Sequence, residues 1–105
     1  MNYTIYQPKR PTFRVEKGEE LKRKNYNYTY SEFYTEPAKD DYEVLEQLFC
    51  IFNMGKKPIG YEGHSLSVGD IVVLKNNIFD HEEKGRAYVC DIFGWKQVNF
   101  DQYAY

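Results

Sequence analysis

The sequence predicts one small α+β domain, an antiparallel sheet of about five strands with a single amphipathic helix, about residues 41–53, on one face. Three observations carry this. A chain of 105 residues has the length of one hydrophobic core. A single stretch shows apolar residues at helical spacing. Strand-like segments flank that stretch on both sides, two before it and three after it, which is the order expected of a sheet with a helix laid against it.

The first strand is read over Asn2 to Tyr6, where polar and β-favouring residues alternate until Pro8 and Pro11 interrupt them. Phe13 to Lys24 is charged, with Gly18 as punctuation, and Glu19 to Lys24 has the composition of one helical turn too polar to stand alone. Asn25 to Tyr34 reads as the second strand, with Tyr26, Tyr28 and Tyr30 on one face at period two. Pro37 ends it. Asp40 then caps the helix, and Glu43 three residues later completes the pattern of a capping box. The stripe Tyr42, Leu45, Leu48, Phe49 and Phe52 faces the core, and Gly55 supplies a left-handed stop after Asn53.

Four of the seven glycines lie between residues 55 and 69, so the connection after the helix is a shaped loop. Ser67 to Asp70 turns the chain into Ile71–Leu74, an uninterrupted apolar run suited to a central strand. Asn76 to Gly85 is a polar connection. Arg86 to Ile92, the turn Phe93-Gly94, and Trp95 to Val98 form a hairpin. The tail from Asn99 is either a docked strand or a frayed end.

Fourteen Lys and Arg against sixteen Asp and Glu give a net charge of −2, which offers no general attraction for a polyanion. The charge is uneven. Residues 1–34 carry seven cations and four anions, and the remainder seven and twelve. Cys50 and Cys90 are too few for a disulfide framework and sit in apolar runs, where both read as reduced, buried core residues. The N-terminus MNYTIYQPKR lacks the apolar stretch of a signal peptide, and no run approaches the ~20 apolar residues of a membrane span. A cytoplasmic location without membrane contact is expected.

Searches for chemistry find little. His64 and His81 have no paired-ligand spacing with a Cys, so no metal or other cofactor is expected. Glu62, His64 and Ser65 are close in sequence, but adjacent side chains in extended chain diverge, and polar loop residues commonly satisfy their own backbone. The glycine-rich stretch follows a helix and precedes a strand, the reverse of a phosphate-binding loop. Asp40-Asp41 and Glu82-Glu83 are neighbouring carboxylates, the first explained by capping. One candidate nucleic-acid patch exists, Lys22, Arg23 and Lys24 leading into Tyr26, Tyr28 and Tyr30, since single-strand binders combine cations with rings. The same patch, or the acidic loop with Glu82 and Glu83, suits a protein contact equally.

The series YEVLEQLFCIFN, GYEGHSLSVGDIVVL and AYVCDIFGWKQV resembles the YodL-like domain of bacterial proteins, many from conjugative elements and phages of Firmicutes. Tyr61, Gly63, Ser65, Leu66, Ser67, Val68, Asp70, Tyr88, Asp91, Gly94 and Trp95 match its pattern over about residues 42–98, while residues 1–41 match only loosely. The resemblance implies no enzyme activity. It implies a protein-binding inhibitor or modulator directed at a host or defence-system protein, of anti-CRISPR or anti-restriction type, or alternatively a regulator of the cell-shape cytoskeleton. Read as residues, the motif is first of all fold-specifying: Leu66 and Val68 anchor the loop, Gly69-Asp70 turns it, and Ser65, Ser67 and Asp91 satisfy backbone amides.

Overall fold

The computed structural model describes residues 1–10, 20–76 and 85–101. Pro11, Gly18, His81, Glu82, Glu83 and the tail beyond Asp101 lie outside the described residues. The strands are β1 (Asn2–Pro8), β2 (Glu20–Lys22), β3 (Tyr26–Phe33), β4 (Ile71–Lys75), β5 (Arg86–Asp91) and β6 (Gly94–Asp101); helix α1 covers Asp41–Asn53. They form one sheet in the order β2-β6-β5-β4-β1-β3. Every pairing is antiparallel except β2 with β6.

The sheet is therefore six-stranded and mixed, not five-stranded and purely antiparallel. The added strand is β2, which falls where a helical turn was expected. Leu21 there is buried, and only Arg23–Asn25 coil into a short 3-10 turn. A three-residue strand with one apolar residue has too little pattern to announce itself.

The run Ile71–Leu74 is buried on both faces, as its unbroken apolarity predicts. Val72 and Leu74 face α1 together with Tyr3, Ile5 and Tyr88, and they pack with Leu45, Leu48 and Phe52 of the helix. Ile71 and Val73 face the other way, into a second cluster with Tyr6, Leu21, Tyr26, Ala87 and Val89. Among the described residues no helix covers that side. The sheet instead curls into a half-barrel, bringing Phe100 of β6 within 4.9 Å of the Tyr6 ring and 5.4 Å of the Tyr26 ring. The concave face thus fills itself with rings from opposite ends of the sheet.

The expected row of Tyr26, Tyr28 and Tyr30 on one face is broken. Tyr30 lies opposite Ile5, but Tyr28 lies opposite Tyr6, so Thr29 is an extra residue and β3 is bulged there. Residues directly opposite share a face. Tyr30 is consequently on the helix side, near Phe52 and Tyr61, whereas Tyr26 and Tyr28 belong to the concave side.

Helix α1 starts as predicted, with the Asp40 carboxylate accepting the Glu43 N–H at 2.9 Å. Glu43 accepts the Lys39 N–H at 3.4 Å, one residue beyond the Asp40 N–H that a regular capping box uses. The buried stripe is Val44, Leu45, Leu48 and Phe52. Phe49 is half-buried, and Tyr42 stays exposed with its ring edge-on to Tyr88. Of the two cysteines expected in the core only Cys90 is buried; Cys50 falls outside the buried stripe of α1 and is exposed. Gly55 does not take a left-handed conformation. The helix closes because the N–H groups of Met54 and Gly55 both donate to the Cys50 carbonyl, at 2.9 and 2.8 Å.

Candidate functional site

The loop from α1 to β4 is clamped at three points. Asn53, the last helical residue, uses its side-chain amide as a strand partner for Leu66, donating to its carbonyl at 2.8 Å and accepting its N–H at 2.7 Å. This seats Leu66 in the helix-side core. Ser67–Asp70 then makes a β-turn closed by the Asp70 N–H on the Ser67 carbonyl at 3.0 Å, with Gly69 at φ 96° in the third position that excludes most side chains. The Asp70 carboxylate accepts the Ser67 N–H at 2.9 Å, and backbone bonds between Gly69, Asp70 and Cys90 dock the turn onto β5.

Gln7 forms the third clamp. Its amide nitrogen faces the Asp70 carboxylate (3.1 Å), the His64 carbonyl (3.1 Å) and the Tyr61 hydroxyl (3.2 Å), while its oxygen accepts from Thr29 at 3.2 Å. Tyr61 donates to the His64 carbonyl at 2.5 Å, and burial pushes its phenol up to about 12. Gly63 lies inside this cluster. A Cβ there would fall 2.5 Å from Gln7 Oε1 and 2.6 Å from the Tyr61 hydroxyl, and closer still to the Thr29 methyl. Asp70 is only 1% exposed, and one of its oxygens has no hydrogen-bond partner. Desolvation raises its pKa, against the pull of the Ser67 amide, Gln7 and His64.

Glu62, His64 and Ser65 do not assemble as a nucleophile and base. The His64 ring donates to the Ser65 carbonyl at 2.6 Å and lies 3.8 Å from the Asp70 carboxylate, so its partners belong to the clamp. Among the described residues no cluster of three or more His, Cys, Asp or Glu is placed to hold a metal ion.

Beside the clamp lies an open groove of about 560 Å³ between α1, the Leu66–Val68 segment and the β5–β6 hairpin. Phe49, Leu66, Val68, Cys90 and Trp95 give it an apolar wall, and Glu46 and Asp91 stand among its lining residues as acidic groups. Leu66, Ser67, Val68, Asp91, Gly94 and Trp95, six residues of the sequence motif, converge here from two separate segments. Burial pushes the Cys90 thiol up to about 11, with Asp70, Asp91 and Glu46 adding to the effect, so it stays protonated at neutral pH. At the hairpin tip Gly94, φ 119°, closes a two-residue turn whose Ile92 is 68% and Phe93 98% exposed. Two adjacent apolar side chains at a turn are unusual where polar turn residues are the norm, and that signal was readable in the sequence.

The basic and aromatic patch comes out differently. Lys22 and Lys24 are exposed. The Arg23 guanidinium donates to the Tyr26 carbonyl at 2.7 Å and lies 5.0 Å above the Tyr6 ring. Tyr26 is buried, Tyr30 half-buried on the opposite face, and Tyr28 exposed, so the three rings offer no single stacking platform. The patch runs from the end of β2 into β3, and none of its residues lines the groove.

A family model described as "YodL-like domain" matches residues 2–100. The match takes in the N-terminal strands as well as the motif-bearing stretch of residues 42–98. No curated protein and no solved structure matches the chain.

Proposed function

We propose that this chain, which belongs to the YodL-like domain family, is a non-enzymatic protein-binding modulator that seats a partner on the groove beside α1 and the β5–β6 hairpin. One observation supports this above the others: residues from two distant motif segments meet around an apolar groove that the exposed Ile92 helps line, with the almost fully exposed Phe93 next to it in the hairpin turn. The turn and clamp explain Gly63, Gly69 and Asp70 without a ligand. They do not explain why a small domain exposes Ile92 and Phe93 side by side next to a half-buried Trp95, whereas aromatic anchors beside a pocket are the usual core of a protein interface. The acidic groups Glu46 and Asp91 favour a partner segment that brings an apolar side chain flanked by Lys or Arg. An inhibitor of a host defence protein is the leading form of such a modulator, and a regulator of the cell-shape cytoskeleton its alternative.

Affinity capture with matched variants tests this. The native chain is expected to retain one protein partner, Phe93→Asp and Val68→Glu to lose it, and Lys22→Glu with Lys24→Glu to keep it. Retention of nucleic acid in place of protein, or equal capture by the groove variants, overturns it.

A further inference from the structure

We propose that the turn after α1 docks into the groove of a second copy of this chain, and that the two copies do so reciprocally around a two-fold axis. The chain carries both halves of the contact. One half is the segment Lys56-Lys57-Pro58-Ile59. The Tyr61 N–H donates to the Pro58 carbonyl at 3.2 Å, and Gly60, φ 90°, takes the third position of that turn, which lifts Ile59 to its tip at 97% exposure. The base of the turn is braced, because the Tyr61 ring lies 4.7 Å from the Phe52 ring and the Gly55 N–H donates to the Cys50 carbonyl. A β-branched apolar side chain held at the tip of a braced turn has little conformational freedom left to lose on docking.

The other half is the groove beside α1, apolar and with Glu46 among its lining residues. Asp91 lines it too but already faces Lys96 at 3.9 Å, so Glu46 is the carboxylate left for an incoming cation. Glu46, Lys56 and Lys57 are exposed, and their side chains make no hydrogen bond or ion pair among the described residues. Ile59, almost fully exposed, does not fill the groove of its own chain. Glu46, Cys50 and Met54 stand exposed at four-residue spacing on the outer side of α1. Two such helices set antiparallel with Cys50 on the axis bring Met54 of each copy level with Glu46 of the other. The lysines just beyond Met54 then stand beside that carboxylate, and the turn beside the groove. Charge selects a second copy in this orientation, since a parallel neighbour sets Glu46 against Glu46 and lysine against lysine. The second copy and a captured partner are rival occupants of one groove, but the pairing is a property of the chain alone and stands or falls apart from the modulator role.

Sedimentation equilibrium of the reduced full chain across a concentration series tests this. The native chain is expected to reach twice the single-chain mass and no more. A short bis-maleimide is expected to join the copies through the exposed Cys50, with Cys50→Ser abolishing the product. Ile59→Asp, Glu46→Lys, and Lys56→Glu with Lys57→Glu are each expected to weaken self-association about tenfold or more. An equimolar mixture of the two charge variants restores it, because each turn again meets a groove of opposite charge. All these positions are exposed, and far-ultraviolet circular dichroism checks that each variant folds. A native chain that keeps the single-chain mass at every concentration overturns the proposal, and its Ile59-dependent sedimentation with phosphatidylserine vesicles assigns the turn to a lipid surface instead. Growth beyond two copies, or charge variants that fail to associate in the mixture, also overturns it.

Discussion

Gly63 shows how little room single residues have in the loop clamp. Three side chains already occupy the space a Cβ needs, so Gly63→Ala is expected to cost about 1–3 kcal/mol by overpacking, read as a lower midpoint in chemical denaturation. Asp70 makes a different test because burial raises its pKa. An acid whose folded pKa lies above its unfolded value stabilises the fold most when protonated, and that contribution is lost as pH rises through the folded pKa. Asp41 has the opposite sign, since the Arg86 guanidinium lowers its pKa against the cost of burial, and its contribution is lost as pH falls. Asp70→Asn is therefore expected to flatten the loss of stability above the ordinary carboxylate range and leave the acid limb in place. Thermal unfolding from about pH 3 to about pH 8 reads both limbs, and an unchanged upper limb contradicts the assignment. At this scale the motif's fold-specifying role was legible in Gly69-Asp70, because turn chemistry is local. Gln7 was not legible, since its four partners lie 22 to 63 residues away.

Elements are held in place by contacts that strand and helix periodicity do not encode. The first turn of α1 is tied to β5 by Asp41, which accepts from Arg86 at 2.5 and 3.1 Å and from the Tyr88 hydroxyl at 2.6 Å. Arg86→Ala leaves that carboxylate with Tyr88 alone. The pair is partly solvated, so the expected cost is about 1–2 kcal/mol, below that of a fully buried pair, with the change measurable in urea unfolding. The bulge at Thr29 sorts Tyr26 and Tyr28 from Tyr30. Deleting Thr29 imposes a regular ladder and turns one side of β3 over, so it is expected to cost more than any single surface change in this strand, with loss of near-ultraviolet signal from the displaced tyrosines. The helix was legible because thirteen residues give more than three turns of pattern. The bulge and β2 were not, since one inserted residue and one three-residue strand leave almost no periodic trace.

Across the whole molecule, a single sheet serves two cores, one under α1 and one within its own curl. Composition anticipated the rings that fill them but not their division, which depends on how far the sheet coils. The same curl leaves Tyr26 inside and Tyr28 at the rim, so the patch that read as a nucleic-acid platform is split between core and surface. The groove is the complementary case. Its residues were prominent in sequence, yet their convergence from Leu66–Val68 and Asp91–Trp95 exists only in three dimensions. Because Phe93 supports no other side chain's burial, Phe93→Ser is expected to leave stability within about 0.5 kcal/mol while removing partner binding.

The most direct test places a photo-activated cross-linking side chain at position 93 of the full chain in living cells. One protein cross-linked at position 93, with the adduct abolished by Val68→Glu and retained with Lys22→Glu, is the expected result. No protein adduct at position 93, or an adduct indifferent to Val68→Glu, contradicts the groove as the docking site.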